Sequence, residues 1–166
     1  MSSQTKNVSA VMTFSIGEEK FAFPIEAVRL LELALPITPI SGSSDQVLGL
    51  SNLRGQIITI VDLGHIYYGS SDSELGKNLI VLKPTSVILQ EEMFDLSEKI
   101  TANDELMALH VTKIEKIIDV SESMWSSIPS HIEKKQASYL MGVVRSNGIL
   151  YSVFNPTSII NFCNNI

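Results

Sequence analysis

Gly49-Leu50-Ser51-Asn52-Leu53-Arg54-Gly55-Gln56-Ile57-Ile58-Thr59-Ile60-Val61-Asp62-Leu63 reads as a strand, a four-residue turn and a second strand. The turn closes on Gly55, which accepts the positive φ that tight turns often demand. One arginine, Arg54, stands at the tip, flanked by apolar runs whose pattern calls for burial. A guanidinium on a rigid hairpin offers five fixed donors to a partner without being consumed in a reaction. The stretch therefore suggests a docking surface; the bland alternative is that Arg54 satisfies carbonyls of its own turn.

The rest of the composition narrows the partners. The chain has 166 residues, 45% of them hydrophobic, enough for one good core or two small intertwined ones. Eighteen acids outweigh twelve lysines and arginines, for a net charge of −6. No basic stripe is present, which argues against nucleic acid and anionic membranes. Cys163 is the only cysteine, so no internal disulfide forms and a reducing, cytoplasmic setting is expected. Met1 to Asn7 is polar and lacks the apolar centre of a signal peptide. No apolar run nears the ~20 residues that span a bilayer, so no membrane insertion is expected. Residues 1–10 are expected to form a flexible tail before a single domain over 11–166.

Outward from the arginine hairpin, period-two patterns mark further strands. Met12, Phe14 and Ile16, then Phe21, Phe23 and Ile25, flank the turn Gly17-Glu18-Glu19-Lys20. A helical turn from Ile25 is expected to lead into a strand over Arg29 to Leu33, and Pro36 and Pro39 force an irregular passage after it. A short helix is expected through His65, Ile66 and Tyr67, followed by the polar loop Gly69 to Gly76. Strands are expected at Asn78–Leu82, Leu106–Val111 and Ile114–Val120. Residues 83–105 read as an insertion, with Met93, Leu96 and Ile100 marking one face of a short acidic helix. Tyr139–Arg145 and Ile149–Phe154 flank Asn147-Gly148, a strong hairpin signal. Asn155-Pro156 reads as the N-cap and first residue of a C-terminal helix.

A faint repeat accompanies this pattern. Gly49 and Gly142, Gly55 and Gly148, and Asp62 and Asn155 are each 93 positions apart (142 − 49). Two similar β-subdomains would explain it, and many short strands between polar turns favour barrels over an open sheet.

Asn52-Leu53-Arg54-Gly55 followed by Ile57 to Leu63 resembles the signature of CheW-like chemotaxis coupling proteins. The likeness extends through Phe21 to Val28 and through Tyr139 to Ile160. It implies a mostly β fold: two small five-stranded SH3-like β-barrels packed into one unit, with short helices including one at the C-terminus. It also implies a non-enzymatic adaptor without cofactor, joining a chemoreceptor's cytoplasmic hairpin tip to the regulatory domain of a CheA-type histidine kinase. The resemblance places receptor contact at Arg54, Gly49 and Asn52, and in the groove between subdomains. It places kinase contact at Val28, Leu30 and Leu31. Relatives often carry glutamate where this chain has Leu30, and the second half lacks their usual Gly-x-x-Val-Asp element, reading Met107 to Thr112 instead. These departures bear on partner identity more than on fold.

Other chemistry finds little support. Asp62 and its counterpart Asn155 fit helix caps, since an amide caps but cannot act as a base. His65, His110 and His131 are scattered, without a second ligand at metal spacing, so no metal is expected. The glycines of Gly69 to Lys77 are misplaced for a phosphate loop, and Asn78 stands where Ser or Thr is needed. Val28, Leu30 and Leu31 are either core or an apolar patch at a strand edge. Two other readings stay open: a scaffold of another pathway, such as surface motility or polar localisation, and a small ligand-binding barrel using the groove beside Arg54.

Overall fold

The computed structural model describes residues 8–33, 35–70, 78–88 and 105–165. The chain opens with the expected hairpin, β1 (Ala10–Ile16) and β2 (Glu19–Pro24), followed by a 3-10 turn over Ile25–Ala27 and β3 (Val28–Leu33). The arginine hairpin is β4 (Val47–Leu53) and β5 (Gln56–Asp62), then α1 (Leu63–Tyr68), β6 (Asn78–Leu82) and the single turn α2 (Thr85–Ile88). β7 (Leu106–Val111), β8 (Lys113–Asp119), β9 (Trp125–Ser126) and α3 (Lys134–Ala137) lead to the second hairpin, β10 (Leu140–Ser146) and β11 (Ile149–Phe154), and to α4 (Pro156–Asn164).

These strands form two sheets, ordered β8-β1-β2-β11-β10-β9 and β3-β6-β7-β5-β4. Each closes by the same device: the chain leaving the first edge strand returns to pair with the last. After β3, Thr38 bridges Leu50 of β4, with N–H···O distances of 2.8 and 2.9 Å. After β8, Ser126 of β9 pairs with Val143 of β10. The expected two barrels are therefore present, the first carrying β9 as a two-residue sixth strand.

The 93-residue repeat is structural. Val47, Gln56 and Leu63 start β4, β5 and α1; 93 residues on, Leu140, Ile149 and Pro156 start β10, β11 and α4. Both hairpins carry a bulge at the same point, before Gly49 and before Gly142. Asp62 N–H donates to Gln46 O and Asn155 N–H to Tyr139 O, each at 2.8 Å. Asp62 and Asn155 cap their helices as expected, accepting from His65 N–H at 3.1 Å and Thr157 N–H at 3.0 Å. The second barrel is one continuous stretch from β3 to β7, inserted between β2 and β8 of the first. The two barrels thus share a sheet order but differ by a circular permutation.

Strand alternation distributes the apolar residues over three cores. Val11, Ala22, Trp125, Val144 and Tyr151 fill the first barrel, and Ile58, Ile60, Leu79, Val81 and Ala108 fill the second. The opposite faces of the same strands supply Phe14, Phe21, Val61, Ile80, Leu109 and Phe154 to a core between the barrels. Strands buried on both faces read as continuous apolar runs, which is why Leu79 to Leu82 shows no alternation. Aromatic rings knit the shared core: Phe154 lies 5.1 Å from Phe21, 5.5 Å from Tyr67 and 6.1 Å from Phe14, centroid to centroid.

Several expectations change in detail. The turn of the arginine hairpin has two residues, not four, because the ladder continues to the pair Leu53↔Gln56. Of the residues expected in the tail, 8–10 are held by the fold: Val8 is buried, Ser9 N–H and Oγ donate to Glu26 Oε1 at 2.8 and 2.7 Å, and Ala10 opens β1. Ile88, within the expected insertion, is buried in the shared core. The acidic helix expected around Met93 to Ile100 and most of the Gly69–Gly76 loop lie outside the described residues.

Phe154→Ala is expected to cost about 3–5 kcal/mol in urea denaturation. Because the core is shared, fluorescence of Trp125 in the first barrel and far-UV circular dichroism of the whole chain should report one coincident transition.

Candidate functional site

At the tip of the β4–β5 hairpin both turn residues have positive φ, +52° for Arg54 and +87° for Gly55. Two consecutive left-handed residues make the type I′ turn, whose twist matches that of the strands it joins. Arg54 is exposed, and no described residue pairs with its guanidinium. Beside it, Asn52 Oδ1 accepts the Gly55 N–H at 2.8 Å, and Arg29 Nη1 of β3 donates to Gln56 Oε1 at 3.3 Å.

Gly49 differs from Asn52 and Arg54, which are exposed, because it is buried. Its φ is +147°, and a Cβ built there lies 2.3 Å from the Thr38 carbonyl oxygen. Ser51 Oγ, two residues on, donates to Pro36 O at 2.6 Å. Gly49 thus lets the Thr38 segment lie flat on β4 and close the barrel.

The three candidates on β3 separate because the register shifts between Val28 and Leu30, so that these two face different cores. Val28 is buried in the shared core, and Leu30 is half-buried against the interior of the second barrel. Of the three only Leu31 is exposed, as Arg29 and Leu33 of the same strand are. Leu33 is 70% exposed and Ile57, just past the arginine turn, 63%. Both escaped sequence reading: Ile57 sits in an apolar run that reads as buried, while the Arg29-Leu31-Leu33 alternation was a usable signal for Leu33. Ile149 and Leu150, after the second hairpin turn, are also exposed.

Between the second barrel and α4 runs a cleft of about 290 Å³, lined by Ile40, Ser44, Thr59, Val61, Met107 and Cys163 among others. Burial pushes the Cys163 thiol from near 9 up to about 12, which favours its neutral form. Tyr68, the last residue of α1, is also raised, chiefly by burial and then by its hydrogen bond to Glu19. Among the described residues, no group of three or more His, Cys, Asp or Glu side chains is placed to hold a metal. No helix among them is long and apolar enough to cross a membrane.

Two measurements probe this geometry. Gly49→Ala should cost roughly 3 kcal/mol in urea denaturation, against about 1 kcal/mol for Gly55→Ala, where only φ is strained. Labelling of Cys163 by iodoacetamide at pH 8 should be at least about a hundredfold slower in the native protein than in urea.

Comparison with known proteins follows the same outline. A family model described as a CheW-like domain matches residues 10–162. The chemotaxis protein CheW of Thermotoga maritima is 35% identical over 77 residues, covering 46% of this chain and 51% of its own, so the match spans about half of that relative. The chemotaxis protein CheW of Treponema pallidum is 26% identical over 141 residues, covering 81% of this chain and 72% of its own. Among solved structures, the scaffolding protein TtCheW of Thermoanaerobacter tengcongensis superposes with a TM-score of 0.68 over 88% of each chain, at 18% identity. A likeness at that identity speaks for the fold.

Proposed function

This chain belongs to the CheW-like family, and on that premise we propose that it is a non-enzymatic cytoplasmic adaptor. It couples the cytoplasmic hairpin tip of a chemoreceptor to the regulatory domain of a CheA-type histidine kinase. The observation that carries the proposal is the backbone of Arg54. An L-residue in the left-handed region costs about 1 kcal/mol, a penalty that glycine escapes and asparagine partly escapes. The equivalent residue of the second hairpin is Asn147, at φ +50°. Arg54 occupies the same conformation against its own preference, exposed and without a described partner. A side chain kept at a local cost to the fold fits one that serves a partner.

The other residues take roles that follow from their places. Gly49 shapes the hairpin from beneath, since it is buried and offers no side chain. On β3, Leu31 meets the kinase together with Leu33, while Val28 and Leu30 anchor the strand from inside. Contacts of this size commonly give micromolar affinity, which suits signalling complexes that exchange. Leu30, where relatives often carry glutamate, favours a second reading: a scaffold of another pathway with a different kinase-side partner. Its inward packing against the second barrel leaves Leu31 and Leu33 to decide that contact.

Calorimetry with a soluble chemoreceptor tip fragment and a CheA regulatory domain from the same genome tests both readings. Binding of both is expected; no heat at several hundred micromolar with either one overturns the coupling role. Arg54→Asn should weaken receptor binding at least about fivefold while raising stability by roughly 0.5–1 kcal/mol. A fall in stability would instead mark Arg54 as structural.

A further inference from the structure

The two hairpins carry the same pair of polar side chains in exchanged places. The first has Asn52 before the turn and Arg54 within it; the second has Arg145 before the turn and Asn147 within it. Both turns adopt the same backbone, with φ of +52° and +87° in one and +50° and +78° in the other. Their closures differ. Asn52 Oδ1 accepts the Gly55 N–H at 2.8 Å, whereas among the described residues no side chain accepts from Gly148 N–H. This bond occurs on the hairpin whose first turn residue is poorly suited to the left-handed region. Where asparagine fills that position, the turn closes without one.

We infer that Asn52 is a positioning residue, which holds Arg54 in the left-handed conformation from which its guanidinium meets a partner, and does not itself touch that partner. The inference rests on the docking role proposed for Arg54. Gly55 lies in the turn, beyond the last ladder pair Leu53↔Gln56, and its N–H donates to Asn52, so without Asn52 it turns to water and the tip is free to leave the I′ geometry. The choice of amide also has a chemical reason. It supplies an acceptor without the negative charge that would draw Arg54 back onto its own hairpin.

The experiment combines amide hydrogen exchange at Gly55 with calorimetry against a soluble chemoreceptor tip fragment. It is run for the wild type, Asn52→Ala, Asn52→Asp and Arg54→Ala, in about 0.5 M salt to screen any pull of the new carboxylate on Arg54. Asn52→Ala should speed Gly55 exchange and weaken binding, each about fivefold, the equilibrium equivalent of one lost turn hydrogen bond. Asn52→Asp, which keeps the acceptor, should restore both. If it restores Gly55 protection but not binding, the amide itself meets the partner and the inference is overturned. Unchanged exchange or unchanged binding in Asn52→Ala overturns it as well. If Arg54→Ala binds like the wild type, the docking role of Arg54 fails, a result separate from any failure of Asn52 alone.

Discussion

The molecule depends on the apolar layer between its two barrels. A small barrel of about five strands encloses too little surface to be stable by much on its own. Here the central strands are buried on both faces: Ile58 and Ile60 point into the second barrel, while Val61 points out of it into the shared core. Phe14, Phe21 and Phe154 come to that layer from the first barrel, and Val61, Ile80 and Leu109 from the second. Tyr67, from the helix after β5, packs edge-on against Phe21 and Phe154. Neither barrel could lose the other without exposing a face of large side chains to water.

That layer also limits where a partner can bind. With one face of each sheet turned inward to its barrel and much of the other turned to the shared core, the surfaces left among the described residues include hairpin tips, strand edges and the cleft beside α4. Several of the exposed apolar residues lie at such places: Leu31 and Leu33 on the β3 edge, and Ile57 and Leu150 beside the two turns. A scaffold needs this arrangement, in which a rigid interior leaves a few protruding elements free to carry specificity. The contrast between the two turns sharpens the point, because an identical backbone bears an unfavourable arginine in one and a favourable asparagine in the other.

Most secondary structure was legible because its causes are local. Alternation revealed the hairpins, Asn-Gly revealed the second turn, and Asp62 and Asn155 announced their helices as capping side chains. The identity of Arg54 as an exposed tip residue was likewise visible in the motif. Less legible were features that depend on what lies across the sheet. Gly49 looks like any strand glycine until Thr38 is seen 2.3 Å from its missing Cβ. Ile57 looks buried until the two-residue turn puts it at the start of its strand, 63% exposed.

What the sequence by itself determined is a repeated unit of hairpin, cap and helix, with a spacing of 93 residues and one arginine at a turn. Such features follow from backbone preference and side-chain period, which act over a few residues. Only the tertiary structure decided that the second unit closes with strands from the chain's beginning, through the parallel pairing of β11 with β2, so that one barrel is inserted within the other. It alone sorted Val28, Leu30 and Leu31 into buried, half-buried and exposed. Pairing partners and burial arise from contacts between residues far apart in the chain, and these contacts have no local signature for a sequence to display.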